Sequence, residues 1–118
     1  MLKIHPSPEA STIAVEFEGK ATQEDARVLD NHVKAHFKDH ETFNVLAVMH
    51  DIDGSTLKGA IEGVKFDTKR WNQFKKFAVV SEKKTVETSA ELGNLLPGIK
   101  SKHFKKDELE AAWNWLKE

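Results

Sequence analysis

Apolar positions along this chain follow two rhythms. Residues 12–18 alternate Ile13, Val15 and Phe17 against Thr12, Ala14, Glu16 and Glu18, and Gly19 ends the run. That period of two puts one face of a strand on a core. Residues 2–5 alternate more briefly before Pro6 and Pro8, as an edge strand does on entering a turn, and the two strands are expected to pair antiparallel. At 43–50 the alternation disappears: Val45, Leu46, Ala47, Val48 and Met49 are apolar in succession, so both faces of that strand must be covered. FAVV at 77–80 repeats the signal. At 99–104, Ile99, Ser101 and His103 alternate with Lys100, Lys102 and Phe104, the pattern of an edge strand.

Between these runs the apolar spacing becomes helical. Thr22 and Asp25 resemble a capping box opening a helix to about residue 40, with a core stripe of Ala26, Leu29, Val33 and Phe37. Ser55 or Thr56 caps the next predicted helix, in which Leu57, Ala60, Ile61 and Val64 share a face. Trp71 and Phe74 fall in a connection, and 81–84 reads as the loop after the 77–80 strand. A third helix is predicted over 85–96, stopped by Pro97 and Gly98. Asp107 and Glu110 form a second capping box for a closing helix that turns Leu109, Ala112, Trp113 and Leu116 inward. The order β-β-α-β-α-β-α-β-α describes an α/β layered fold: a mostly parallel five-stranded sheet with one antiparallel edge strand, with residues 1–118 expected to form a single domain.

Composition narrows the functional classes. Lys and Arg total 18 against 19 Asp and Glu in 118 residues, a formal net charge of −1. Nothing there selects nucleic acid or an anionic membrane as partner. Cys is absent, which removes disulfides, thiolate chemistry and Cys-ligated zinc and fits a reducing compartment. No apolar run approaches the roughly 20 residues of a membrane span, and the first residues lack the apolar stretch of a secretory signal, so a cytoplasmic location is expected.

In parallel α/β sheets, ligands collect at the carboxyl ends of strands, where loop groups and the free N–H groups of the next helix converge. Here that places a candidate site at 51–56, with Asp53, Gly54, Ser55 and Thr56 as its binding residues. Lys83 and Lys84, leaving the neighbouring strand, supply cations. Asp51, Asp53 and Ser55 spell D-x-D-x-S, which resembles the first motif of haloacid-dehalogenase-type phosphotransferases working with Mg²⁺. The late acidic pair that chemistry needs is missing, and the motif follows the third strand rather than the first, so the residues read as a capped, solvated turn. A calcium loop running from Asp51 to Glu62 fails because Thr56 stands where the sharp turn needs Gly. His32, His36 and His40 recur every fourth residue on one helix face, a spacing able to clamp a transition metal, but at the core's margin with no further ligand type beside them. They are read as boundary packing, with no metal cofactor. Trp115 lies off the inward face of the closing helix, marking either a partner or homodimer surface or packing against the preceding strand.

Several stretches together carry a resemblance: the β-β start, Gly19-Lys20 after the second strand, DGSTLKGAIEGVKF at 53–66, FKKFAVVSEKK at 74–84 and FKKDELEAAWNWL at 104–116. Over nearly its whole length the chain resembles the SpoIIAA-like family, the STAS domains and their bacterial relatives of unassigned function. The resemblance implies a non-enzymatic regulator or binding domain. It also implies a phosphorylatable Ser or Thr at the start of the helix after the third strand, where Ser55 and Thr56 stand. The fold is similar to that of CRAL-TRIO lipid-transfer domains as well, which implies an alternative: an apolar or lipid-like ligand beneath Leu57, Ile61 and Val64.

Overall fold

The computed structural model describes residues 2–18, 23–38, 41–50, 72–81 and 98–118. The sheet has five strands in the order β1-β2-β3-β4-β5: Leu2–His5, Thr12–Glu18, Phe43–His50, Phe74–Ser81 and Lys100–Phe104. β1 runs antiparallel to β2, and every other neighbouring pair is parallel. This is the mixed sheet with one antiparallel edge that the periodicities predict. Because the strands follow one another in space as in sequence, the β3 and β4 carboxyl ends are neighbours, with Met49 beside Ser81.

The uninterrupted apolar runs are covered on both sides, as their composition requires. On one face Val45, Ala47, Met49, Phe77 and Val79 join Leu29 and Val33 of helix α1, Gln23–His36, and Phe37 just after it. On the other, Leu46, Ala78, Val80 and Phe104 pack with Ala112 and Leu116 of helix α2, Leu109–Lys117. The stripe predicted for α1 is therefore inward at Leu29, Val33 and Phe37, while the Ala26 side chain lies outside those described. Thr22, the predicted cap, lies outside the described residues too, and the buried Asp25 accepts a hydrogen bond from the Leu2 backbone N–H at 3.0 Å.

Of the boundaries that differ from the sequence expectation, three have a clear local reason. Helix α1 stops at His36, before residue 40, because Glu41 folds back: its N–H donates to the Lys38 carbonyl at 3.0 Å, and its carboxylate accepts from the Lys38 N–H at 3.3 Å. β4 starts at Phe74, not Phe77, so Phe74 belongs to the sheet and not to a connection. Its ring stacks on Phe43 at 5.4 Å and meets Phe77 edge-on at 5.7 Å. Two lysines conceal this start in sequence. Lys76 reaches the end of α2, donating to the carbonyls of Trp115 at 3.2 Å and Glu118 at 2.6 Å, which satisfies acceptors that a helix C-terminus leaves open.

The closing helix also begins differently. A 3₁₀ turn, Lys106–Glu108, precedes α2, and the Glu108 carboxylate accepts from the Lys105 backbone N–H at 2.9 Å. The reciprocal carboxylate contact predicted from Asp107 and Glu110 thus forms two residues earlier. Leu109 consequently sits at the turn and is 41% exposed instead of inward. Trp115 packs against Phe104 of β5, ring centroids 5.9 Å apart, so of its two readings the structure favours packing on the preceding strand. Gly98 adopts φ +84°, a left-handed conformation that L side chains resist, consistent with its place before the last strand.

Gln73 ties the amino end of the sheet together. It is 3% exposed, and its side-chain amide donates to the carbonyls of Lys38 at 2.7 Å and Glu41 at 2.8 Å, fixing the α1–β3 connection to the start of β4. Gln73→Leu keeps the volume but removes both donors, and should lower stability by about 1–3 kcal/mol. Urea unfolding of the two proteins checks this; an unchanged midpoint would remove Gln73 from any structural role.

Candidate functional site at the carboxyl edge of the sheet

Parallel pairing brings the ends of β2, β3, β4 and β5 to one edge. The predicted binding residues Asp53, Gly54, Ser55, Thr56, Lys83 and Lys84 lie outside the described residues, as do Asp51 and the apolar alternative Leu57, Ile61 and Val64. Described are the two strand ends from which those segments leave, His50 and Ser81, on adjacent parallel strands. Around these ends the structure gathers polar side chains on each face of the sheet.

On the α2 face, alternation places His5, Glu16, Val48 and His50 on the same side. The Glu16 carboxylate lies between two imidazoles, with Oε1 3.0 Å from His5 Nε2 and Oε2 2.6 Å from His50 Nε2. His50 Nδ1 is 2.6 Å from the Lys106 ammonium of the 3₁₀ turn. Since an ammonium can only donate, Nδ1 accepts, and His50 then carries its proton on Nε2 and donates it to Glu16. The chain Glu16–His50–Lys106 therefore specifies neutral His50 in a single tautomer. Hydrogen bonds from His5, and next from His50, hold the Glu16 carboxyl below its ordinary value of 4.5.

On the α1 face, Ser81 Oγ lies 2.9 Å from His103 Nε2. Burial, more than the nearby charges, pushes His103 below the ordinary imidazole value of 6.5, favouring the neutral ring that can accept from the hydroxyl. A hydroxyl beside a neutral imidazole has the elements of an activated nucleophile. Ser81, however, is 3% exposed, so the contact satisfies two polar groups at the edge of a covered face. Ser81 was expected in a loop and instead ends β4.

The His32 and His36 rings stack at 4.2 Å, and His36 Nδ1 lies 3.0 Å from the His32 carbonyl. His40 lies outside the described residues. Burial and the neighbouring His36 push His32 down, again favouring a neutral ring. No group of three metal-ligating side chains occurs among the described residues.

Neither polar chain was singled out by sequence. Glu16 and His50 are 34 residues apart, and His50 and Lys106 are 56 apart, so their meeting depends on parallel register. The available signal was Glu16 and Glu18 on the polar face of β2, with His50 closing an apolar run. The burial of His103 has a consequence for acid stability. Its folded-state pKa is lowered, so the folded state resists protonation, and stability falls as pH drops below about 6.5 toward the lowered value. His103→Gln should remove part of that loss. Thermal unfolding from about pH 7.5 down to about 5 checks this, and an identical pH slope in both proteins would contradict it.

The comparisons with known proteins agree with the architecture. No curated protein and no solved structure matches the chain. No helix among the described residues is long and apolar enough to cross a membrane. The SpoIIAA-like family model matches residues 12–117, from the first residue of β2 to the last of α2. The match takes in the parallel strands and both described helices, and the chain belongs to the SpoIIAA-like family, of the STAS type of regulatory and binding domain.

Proposed function

We propose that this protein is a non-enzymatic STAS-like binding or regulatory domain that receives an oxyanion, free or as a phosphorylated Ser55 or Thr56, at the carboxyl edge of its sheet. The observation that carries this reading is the adjacency of β3 and β4 in parallel. It makes the segments beginning at Asp51 and Glu82 leave the same edge side by side, so that Ser55 and Thr56 follow one strand while Lys83 and Lys84 follow its neighbour. The Lys106 ammonium lies 2.6 Å from His50 Nδ1 at the end of β3. Backbone N–H groups at a helix start and lysine ammonium groups are a general chemistry for phosphate.

Asp51 and Asp53 oppose an anion, so the reading requires Lys83 and Lys84 to outweigh them at the edge. Sulfate or phosphate should raise the melting temperature of the wild type relative to chloride at equal ionic strength. At ten times its dissociation constant a bound anion stabilises by about 1.4 kcal/mol. Removing hydroxyls by Ser55→Ala with Thr56→Ala costs about 0.5–2 kcal/mol whether or not anion is present. The informative quantity is therefore the anion-dependent increment, which the double variant should lose. An increment absent from the wild type, or equal in both proteins, would refute the assignment.

A further inference from the structure

We propose that the outer edge of β5 is a docking strand for an acidic, extended segment of a partner protein, which adds to the sheet beside β5 and sets its carboxylates against Lys100 and Lys102. This edge acts independently of the oxyanion site proposed above.

β5 is the last strand of the sheet, and among the described residues only β4 pairs with it. One row of its backbone N–H and C=O groups therefore faces outward, the template onto which another extended chain can pair. The period of two puts Lys100, Lys102 and Phe104 on the α2 face, with Ser101 and His103 on the other. Lys100 and Lys102 are exposed, and the Lys102 ammonium lies over the Phe104 ring at 5.2 Å. Residues 98–106 carry Lys100, Lys102, Lys105 and Lys106 without a carboxylate, in a chain whose formal net charge is −1. Positive charge is thus concentrated at this edge and is not a property of the whole molecule.

The chain does not answer that charge. Lys100 stands opposite Lys76 and Lys102 opposite Ala78, so β4 offers neither of them a carboxylate. Like charges directly opposite disfavour pairing. Lys76 turns its ammonium to the end of α2, whereas Lys100 and Lys102 have no ion-pair partner among the described residues. Asp107 and Glu108 lie in the 3₁₀ turn beyond the strand, where Glu108 accepts from the Lys105 backbone N–H. The opposite edge of the sheet differs. β1 sets Lys3 beside Glu16, His5 bonds to that same carboxylate, and the Leu2 N–H donates to Asp25. Edge lysines ordinarily discourage pairing between copies of one chain. Here β5 against a second β5 would set lysine against lysine, and β5 against β1 would meet Lys3 and His5. A strand with Asp or Glu at alternate positions is favoured by the same charges, so they reject self-pairing and select an acidic partner. Main-chain hydrogen bonds supply the affinity, and the lysines supply the choice, since an exposed ion pair contributes little by itself.

The test titrates the full chain with blocked heptapeptides: one alternating glutamate with valine, one alternating lysine with valine, and the acidic peptide N-methylated at every residue, which removes its backbone donors. The acidic peptide should bind, the basic one should not, and N-methylation should weaken binding by about tenfold or more. Amide hydrogen exchange at residues 100–104 should slow when the acidic peptide is bound. Lys100→Glu with Lys102→Glu should lose about tenfold in affinity for the acidic peptide and bind the basic one instead, an exchange of preference that an unfolded variant cannot produce. If that variant does not fold, hydrogen exchange in the wild type decides by itself. Unchanged exchange at 100–104, equal binding of the N-methylated peptide, or equal binding of both charges by the wild type overturns strand addition at this edge. So does an acidic peptide that fails to bind at about millimolar concentration. A dimer of the wild type that protects 100–104 without peptide overturns the choice of partner.

Discussion

Covering β3 and β4 on both faces is the constraint from which the rest of the structure follows. Their apolar side chains leave neither face fit for water, so α1 must pack on one side and α2 on the other. Fully burying a side chain such as Leu46 or Val79 is worth about 1.5–3 kcal/mol, more than any single surface ion pair in the molecule can offer. The covering helices are positioned accordingly. α2 is closed by Lys76 at its last carbonyls and opened by Glu108 at its first turn, and both contacts come from the sheet or the segment leaving it.

A consequence of parallel packing is that the strands share a direction and so share a carboxyl edge. Polar residues one alternation step beyond the apolar core necessarily collect there: Glu16 and His50 on the α2 face, and Ser81 with His103 on the α1 face. The two groups are chemically distinct. Ser81 and His103 are drawn into a covered environment and satisfy each other, whereas Glu16 and His50 remain partly open, with side-chain exposures of 35% and 28%. The Glu16–His50–Lys106 chain is therefore the more accessible of the two.

Most of the sheet was legible in the sequence because side-chain period and apolar continuity report strand burial directly. β1, β2, β3 and the edge position of β5 all follow from that logic. Phe74 escaped it because Lys75 and Lys76 interrupt the apolar run, although Lys76 spends its charge on the end of α2 and Phe74 sits in an aromatic cluster with Phe43 and Phe77. The start of α2 was shifted because Asp107–Glu110 and Lys105–Glu108 share the same spacing of three, and only the 3₁₀ turn decides between them. The edge residues Asp53, Gly54, Ser55, Thr56, Lys83 and Lys84 were named from where loops must emerge, a rule that locates an edge without giving its side-chain geometry. Lys106 could not be reached that way, since nothing local links it to the end of β3.

Long-range polar contacts of this kind also distinguish a fold from its use. Any sequence with these apolar runs would build the same layered sheet, but the runs do not require Glu16 to meet His50 or His50 to meet Lys106. A carboxylate on a strand face can be solvated, and a lysine in a turn ordinarily is. Holding an ammonium at 2.6 Å from an imidazole nitrogen instead keeps one long side chain ordered, at an entropic cost of up to about 2 kcal/mol. A surface contact of this type returns little stability in exchange. The ordering of that lysine is therefore a feature of the sheet's edge that the apolar runs do not account for.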